Sequence, residues 1–398
     1  MKIAAVGDIS EQVRGVSYAK SDASDVPLNG YSPILRANNI GEQGLILEKF
    51  VFVPNTKISP KQKILSNDII VAASSGSISV VGKTAQVREK FEGSFGAFCK
   101  VLRPDSSVCP HYFGHYFRTL SYRQEVSRLA VGANINNLKN EHLNNLKIPL
   151  PPLAEQKRIA AILDAADALR AKRRESLVQL DALLQSTFLD MFGDPVTNPM
   201  GWKMVRLSDV VKRLDGGKNI AKSETETDYR VLKVSAVTYG EYRPQESKYL
   251  PAEFNVPESY LVRKGDLLIS RANTVELIGA TAYVWETPER IMLPDKIWKF
   301  IWKENAEIEP LFMYHLSQHP RFRQILGSRA SGTSGSMKNI AKPKLLSMLI
   351  PHPPLELQKK FAAIVESVER QKAKQQAHLA ELDTLFAALQ QKAFNGKL

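Results

Sequence analysis

Between Leu153 and Phe192 apolar residues recur at intervals of three and four: Ile159, Ile162, Ala166 and Leu169, then Leu177, Leu180, Leu184 and Phe188. That spacing predicts an amphipathic helix and, over this length, a coiled-coil-like seam. About 38 residues at ~1.5 Å of rise each make a rod of roughly 55–60 Å. Pro149, Pro151 and Pro152 stiffen the approach and stop the helix from running back. The pattern occurs twice. IPLPPLAEQKRIAAILD from Ile148 is matched by IPHPPLELQKKFAAIVE from Ile350, with Pro149 over Pro351, Gln156 over Gln358, Leu180 over Leu382 and Phe192 over Phe394. Every pair is 202 residues apart and no gap is needed through Phe394, so the chain is two copies of one unit. The seam is interrupted by RAKRRE, Arg170–Glu175, and its counterpart Arg370–His378 is polar as well.

Ahead of each helix the period changes. Tyr31–Ile40, Leu45–Val53, Asp68–Ala73, Ser77–Val81 and Phe98–Val101 are short β-branched and aromatic runs bounded by Gly, Asn, Ser and Pro, which predicts strands. His111–Ala130 has helical spacing and reads as one helix or two short ones; Val131–Leu138, VGANINNL, reads as a polar loop. GDPVTNPMGW, Gly193–Trp202, breaks the first long helix and opens a second body whose order echoes the first. Tyr229–Val237 follows Tyr31–Ile40, Gly265–Ile269 follows Asn67–Val71, and GTSGSMKNI, Gly332–Ile340, takes the place of VGANINNL. The predicted class is α+β: two similar mixed α/β bodies separated by two long helices in an antiparallel coiled coil, a pseudo-twofold internal repeat. The predicted boundaries are residues 1–147 for body 1, 148–192 for spacer helix 1, 193–348 for body 2, and 349–398 for spacer helix 2 with the C-terminal tail. Body 2 opens with Gly201-Trp202 whereas body 1 starts at MKIAAVGDI, so body 1 is expected either to lack a small framework piece or to have a different start site.

Composition narrows the function. Lys and Arg number 54 against 41 Asp and Glu, a net charge of +13, which points to a polyanionic partner, nucleic acid first. Cys99 and Cys109 are too few for a disulfide framework or a Cys-rich zinc site, and no apolar run approaches a bilayer span; a cytoplasmic protein is expected. The catalytic patterns fail one by one. GSISVVGKT, Gly76–Thr84, has five residues between its glycines where a phosphate-binding P-loop has four, and Ile278-Gly279-Ala280-Thr281 in the second body lacks the lysine. Asn198–Trp202, NPMGW, lacks the second proline of an adenine-methyltransferase motif; His111 and His115 have Tyr112 where a zinc protease needs Glu. The chain reads as a binder.

Phosphates are held by Lys and Arg, and base edges are read by Arg, Lys, Asn, Gln, Ser and Thr. Body 1 carries such groups at Ser74, Ser75 and Lys83, then at Asn134, Asn136 and Asn137. Body 2 carries them at Arg271, Asn273 and Thr274, then at Ser334, Ser336, Lys338 and Asn339. These loops fall at equivalent points of the two copies and are expected to face DNA. Arg118, Arg123 and Arg128, with Arg321, Arg323 and Arg329, are expected to approach phosphates or solvent.

The two Pro-Pro-Leu-x-x-Gln helix starts, the junction FLDMFGDPVTNPMGWKMVRLSDV and the closing AFNGKL resemble, over the whole chain, the specificity subunit of type I restriction-modification systems. The resemblance implies a non-catalytic subunit that holds no cofactor or metal itself. It implies double-stranded DNA as ligand, each body reading half of a split target while the helices set the spacing. It also implies two docked methyltransferase subunits bringing AdoMet, and translocating and cleaving restriction subunits using ATP and Mg, with no membrane partner. A stand-alone DNA-binding regulator or architectural protein built on the same repeat is the alternative.

Overall fold

The computed structural model describes residues 2–130, 136–331 and 338–398. It divides into two compact units, Met1–Glu175 with Gln376–Leu398, and Ser176–Gln375. In chain order the first body comprises β1 (Ile3–Ala5), β2 (Ser10–Arg14), β3 (Tyr31–Leu35), β4 (Val51–Pro54), β5 (Ile69–Ala72), β6 (Ser74–Ser75), β7 (Thr84–Gln86), β8 (Ser94–Phe95) and β9 (Cys99–Pro104). Helices α1 (Pro110–Tyr116) and α2 (Leu120–Leu129), strand β10 (Asn136–Asn137), α3 (Asn140–Asn144) and β11 (Lys147–Pro149) follow, and lead into the 40-residue helix α4 (Leu153–Phe192). The second body runs β12 (Met204–Arg206), α5 (Leu207–Val210), β13 (Val211–Gly216), β14 (Arg230–Leu232), β15 (Ser247–Tyr249), β16 (Leu267–Ser270), β17 (Ala272–Asn273), β18 (Thr281–Tyr283), β19 (Ile291–Met292) and β20 (Ile297–Trp302). It continues through α6 (Pro310–Gln318), α7 (Pro320–Ser328), β21 (Lys338–Asn339), α8 (Lys342–Leu346) and β22 (Leu349–Pro351) to the 40-residue helix α9 (Leu355–Phe394).

Both bodies repeat one topology. A four-stranded sheet has the order β2-β9-β5-β7 in the first and β13-β20-β16-β18 in the second. A three-stranded sheet, β4-β3-β8 or β15-β14-β19, pairs its central strand antiparallel on one side and parallel on the other. The central strand of each larger sheet explains its unbroken apolar run. Ile69 and Val71 of β5 join the core shared with Tyr112, Phe113 and Val126 of α1 and α2, while Ile70 and Ala72 pack under Leu35, Phe95 and Val101. Leu267 and Ile269 divide from Leu268 in the same way in the second body. A strand covered on both faces loses the alternation of a half-exposed one.

The paired proline strips are strands. β1 pairs with β11, placing Ala4 opposite Ile148, and β12 pairs with β22, placing Val205 opposite Ile350. The repeated glutamines sit where these strands turn into the long helices. Gln156, 1% exposed, accepts from the Cys109 N–H at 2.8 Å and donates to the Pro151 carbonyl at 2.8 Å. Gln358, fully buried, accepts from the Glu309 N–H at 2.9 Å and donates to the carbonyls of Pro353 and Glu307 at 2.7 and 3.1 Å. Each glutamine satisfies an orphan N–H where α1 or α6 begins and ties that helix to the start of α4 or α9. Leaving one such buried group unpaired costs about 1–3 kcal/mol.

Within the first unit, α4 and α9 run antiparallel: Arg158 donates to the Leu398 carbonyl at 2.7 Å, and Arg170 pairs with Asp383 at 2.6 Å. In the second unit Lys372 pairs with Asp181 at 2.8 Å, and the Phe361 ring meets Phe188 and Phe192 at 5.6 and 5.4 Å. Lys372 lies 202 residues after Arg170 and Asp181 lies 202 before Asp383, so one pair recurs with the two helices exchanging roles. The polar centre of the seam is thus filled with ion pairs.

Several local expectations change. Tyr31–Ile40 is strand only to Leu35, because Asn39 turns the chain: its buried amide donates to the Ile46 and Glu48 carbonyls at 2.8 Å each. Of the predicted Leu45–Val53 strand only the last three residues fall in a strand, Val51–Pro54. Ser77–Val81 is turn, closed by Val80 and Val81 N–H groups on the Ser77 carbonyl. His111–Ala130 is two helices, since Thr119 caps the second by accepting from Tyr122 N.

Candidate nucleic-acid interface

The polar segments singled out in each body meet as two-stranded antiparallel ladders. In the first body β6 pairs with β10, Ser75 opposite Asn136 and Ser74 opposite Asn137. In the second β17 pairs with β21, Ala272 opposite Asn339 and Asn273 opposite Lys338. The flanking hydrogen bonds match as well: Leu138 N donates to Ala73 O at 2.8 Å, and Ile340 N to Arg271 O at 2.9 Å. Backbone pairing of two segments distant in sequence fixes the direction in which their short polar side chains project. Ser74, Ser75 and Asn136 are half-buried and Asn137 is exposed; Asn273 and Lys338 are half-buried and Asn339 is exposed. Asn134, Ser334 and Ser336 lie outside the described residues.

The remaining candidates stand apart from that arrangement to different degrees. Arg271 points inward: its Nε donates to the Asp295 carbonyl at 2.7 Å and its guanidinium lies 5.5 Å from the Trp298 ring centroid. Thr274 has a buried hydroxyl without a partner among the described residues, and its N–H donates to the Asn273 side chain at 2.9 Å. Asn273 donates in turn to Thr238 at 3.2 Å. Lys83 follows the turn at Gly82, where φ is +75° and a Cβ would meet Val126 Cγ2 at 2.5 Å. That glycine exists to let the turn close on α2, and the P-loop resemblance ends there.

Lys83 lines a cavity of about 820 Å³ in the first unit together with Arg118, Arg123, Arg170, Arg174, Glu42 and Asp383. Arg118 chelates Asp167 at 2.6 and 3.1 Å, and Arg123 donates to the carbonyls of Val81 and Ser79 at 2.9 and 3.1 Å. Arg170 bonds Asp167 at 2.8 Å and Asp383 at 2.6 Å while lying 4.3 Å from the Phe386 ring centroid; Arg174 reaches Asp383 at 3.0 Å. The expectation that Arg118 approaches phosphates or solvent is therefore corrected, since it is ion-paired within the protein; Arg321 is exposed, as expected, and also meets Asp194 at 2.6 Å. Among the described residues Arg123 is braced by carbonyl oxygens alone.

Four residues near the ladders carried no sequence signal strong enough to single them out. The carbonyl of Phe98 accepts from Ala73 N and Ser74 N, and its ring is 69% exposed; Lys296 takes the same place beside Arg271 in the second body. Tyr239 is 65% exposed next to Thr238, and Arg243 lies 5.1 Å from its ring centroid. Lys100 donates to the Leu138 carbonyl at 2.6 Å, and burial, aided by the Arg14 charge, pushes its ammonium down to about 8. An exposed Phe inside FGAFCK and a lone lysine in an apolar strand were the available hints.

His111 and His115 hold a carboxylate. They lie 2.5 and 2.9 Å from the two oxygens of Asp164, which Arg88 also meets at 2.8 Å. Among the described residues no group of three or more His, Cys, Asp or Glu is placed to hold a metal ion, and no helix is long and apolar enough to cross a membrane. Burial pushes the Cys99 thiol up to about 12, away from nucleophilic chemistry.

The chain is thus a duplicated α/β body, each copy carrying a short polar ladder, with a cation-lined cavity in the first. The chain belongs to the family described as the type I restriction modification DNA specificity domain, whose sequence model matches residues 1–179 and again 199–383. Members of this family are non-catalytic recognition subunits that carry no cofactor themselves. The chain is 30% identical to the type I restriction enzyme EcoKI specificity subunit of Escherichia coli strain K12, across 100% of this chain and 89% of that protein. It is 29% identical to the StySPI specificity subunit of Salmonella potsdam, across 99% and 88%. The fold is shared with the type I restriction-modification S subunit of M. genitalium, at a TM-score of 0.58, 15% identity and coverage of 99% and 96%. It is also shared with a chain from a structure of type I complex assembly, at a TM-score of 0.56, 19% identity and coverage of 100% and 98%.

Proposed function

We propose that this chain is the sequence-specificity subunit of a cytoplasmic type I restriction-modification complex, each body reading one half of a split target in double-stranded DNA. The reading is carried by one observation: equivalent ladders on two copies of one scaffold present different side chains. Ser74, Ser75, Asn136 and Asn137 face one half-site; Asn273, Lys338 and Asn339 face the other. Serine and asparagine exchange hydrogen bonds with base edges, and lysine favours the acceptors of guanine. Lys83 serves the phosphates, while Arg271 and Thr274 hold the second ladder from behind, and Asn134, Ser334 and Ser336 complete the two sets of reading residues. The long helices set the gap and dock two methyltransferase subunits, which bring AdoMet; restriction subunits add ATP- and Mg-dependent translocation and cleavage. Half-sites read from one face of the duplex lie about one turn apart, roughly 34–36 Å.

Methylome sequencing of cells carrying this subunit with its methyltransferase tests the reading. One asymmetric bipartite adenine motif with a fixed non-specific gap is expected. A continuous motif, or no motif, would overturn it.

A further inference from the structure

The cavity around Lys83 is a concentration of positive charge that folding alone does not require. Two aspartates, Asp167 and Asp383, hold three arginines in place: Arg118, Arg170 and Arg174. Among the described residues Arg123 is bound only to carbonyl oxygens, which leave its charge uncompensated, and Lys83 has no acidic partner. Counting Glu42 on the rim, five cations face three acids. The arginines are also pre-ordered. Arg170 has a 14% exposed side chain clamped between two carboxylates and the Phe386 ring, and Arg174 spends only one of its guanidinium N–H groups on Asp383. Fixed guanidinium forks with free N–H donors and a net positive field fit a phosphate oxyanion.

One short turn joins the first ladder to the cavity lining. Ser75 leads directly into the turn at residues 76–82, where Asn136 donates to Gly76 O at 3.4 Å and Arg123 grips the Ser79 and Val81 carbonyls. Lys83 closes that turn on the cavity side. The second copy of the sequence repeats only part of the charge. Arg323 and Lys372 stand where the first has Arg123 and Arg170, but Ala280, Gln318 and Gln376 stand where it has Lys83, Arg118 and Arg174.

We infer that this cavity seats the DNA backbone, with Lys83, Arg123 and Arg174 taking phosphodiester groups that flank the first half-site, and that the second half-site, without counterparts of Lys83 and Arg174, is held by fewer such contacts. The inference rests on the DNA-reading role proposed above. A phosphodiester is favoured over a free phosphate or nucleotide because the cavity opens from the same turn that carries the reading ladder.

The test uses the full chain assembled with its methyltransferase subunits, as wild type and as Lys83→Gln, Arg174→Gln and the double variant, each checked for an unchanged melting temperature. Affinity is measured against salt concentration on a target duplex and on a scrambled one. Withdrawing one cation from its phosphate lowers the slope of log K against log salt by about 0.9, which removes roughly a threefold part of the affinity loss between 50 and 200 mM. The fall is expected equally on both duplexes, with the methylated sequence unchanged. Methylphosphonate replacement of flanking phosphates should weaken the wild type more beside the first half-site than beside the second, and the double variant should lose that difference. An unchanged slope in both single variants, or equal methylphosphonate effects on the two sides, would overturn the inference. So would micromolar binding of inorganic phosphate or ATP without DNA, abolished in the double variant, which would make the cavity a small-anion site. Because the slope is read on scrambled DNA too, the outcome stands even if no sequence preference is found, which would count against the proposed function alone.

Discussion

His115 shows how one residue of the first body is fastened to the long helix. Its ring is fully buried, its Nε2 meets Asp164 at 2.9 Å, and its Nδ1 has no partner among the described residues. Burial first, and then the charges of Arg118 and Arg88, hold the imidazole below its ordinary range against the pull of Asp164. The arrangement is a neutral imidazole whose Nε2–H donates to a carboxylate. Burial alone would push Asp164 up, but the hydrogen bonds of His115 and His111 and the Arg88 charge outweigh it and hold the carboxyl well below the usual range. Both shifts act in one direction. A histidine depressed in the folded state costs stability as pH falls below about 6.5, where the unfolded chain takes up the proton and the folded one resists it. The Asp164 contribution is present above about 3.9 and goes only at lower pH. The first unit is therefore expected to lose stability between pH 7 and pH 5 through His115, with Asp164 still ionised. His315, pushed down to about 4 chiefly by burial, adds a similar loss in the second unit. Melting curves at the two pH values should show a smaller drop for His115→Gln than for the wild type. An identical drop would mean that this histidine is not the titrating group.

At the scale of elements, legibility follows length and repetition. α4 and α9 are visible in the sequence because 40 residues of three-and-four spacing occur twice. The glutamines are visible as a repeat, but their task is not, since pairing of Gln156 with Cys109 depends on a body helix 47 residues away. The ladders are the reverse case. Ser74–Ser75 and Asn136–Asn137 stand out for their chemistry at matching places in the two copies, while a two-residue strand has no period to betray it. The inward turn of Arg271 is hidden because nothing in the sequence places Trp298 beneath it. Ser77–Val81 has strand composition, but its N–H groups close on Ser77 instead of a neighbouring strand. The long helices carry a prediction of their own. Removing one heptad of α4 between Glu175 and Leu184 keeps the seam in phase, since seven residues are close to two turns, and shortens that helix by ~10 Å. If the helices set the gap, the methylated motif should show a changed gap, or methylation should fail while each half-site is still bound in isolation. An unaltered gap would count against the helix as spacer.

Each compact unit is assembled from one body, the start of the long helix that follows it and the end of the other long helix. The first unit takes in Gln376–Leu398, the last 23 residues of the chain. Those residues enter its core: Phe386 is 5% exposed and Ala393 fully buried, both in the cluster that contains Tyr112, Tyr116 and Leu163. The Phe394 ring lies tilted 5.0 Å from that of Tyr112, Gln390 donates to the His115 carbonyl at 3.4 Å, and Asp383 anchors Arg170 and Arg174. Ending the chain after Gln375 would therefore damage the body at the opposite end of the sequence. Loss of a buried phenylalanine alone costs about 3–5 kcal/mol, and here two aromatic side chains and a carboxylate leave together. The second unit keeps all of its own residues, including Phe361 packed on Phe188 and Phe192. Hydrogen exchange on the truncated chain should show protection falling in α1, Pro110–Tyr116, and kept in α6, Pro310–Gln318. Recognition should fail for the first half-site and persist for the second on duplexes carrying one half each. Equal loss of protection in α1 and α6 would mean that the molecule unfolds as a single block, and that the two reading modules are not separately built.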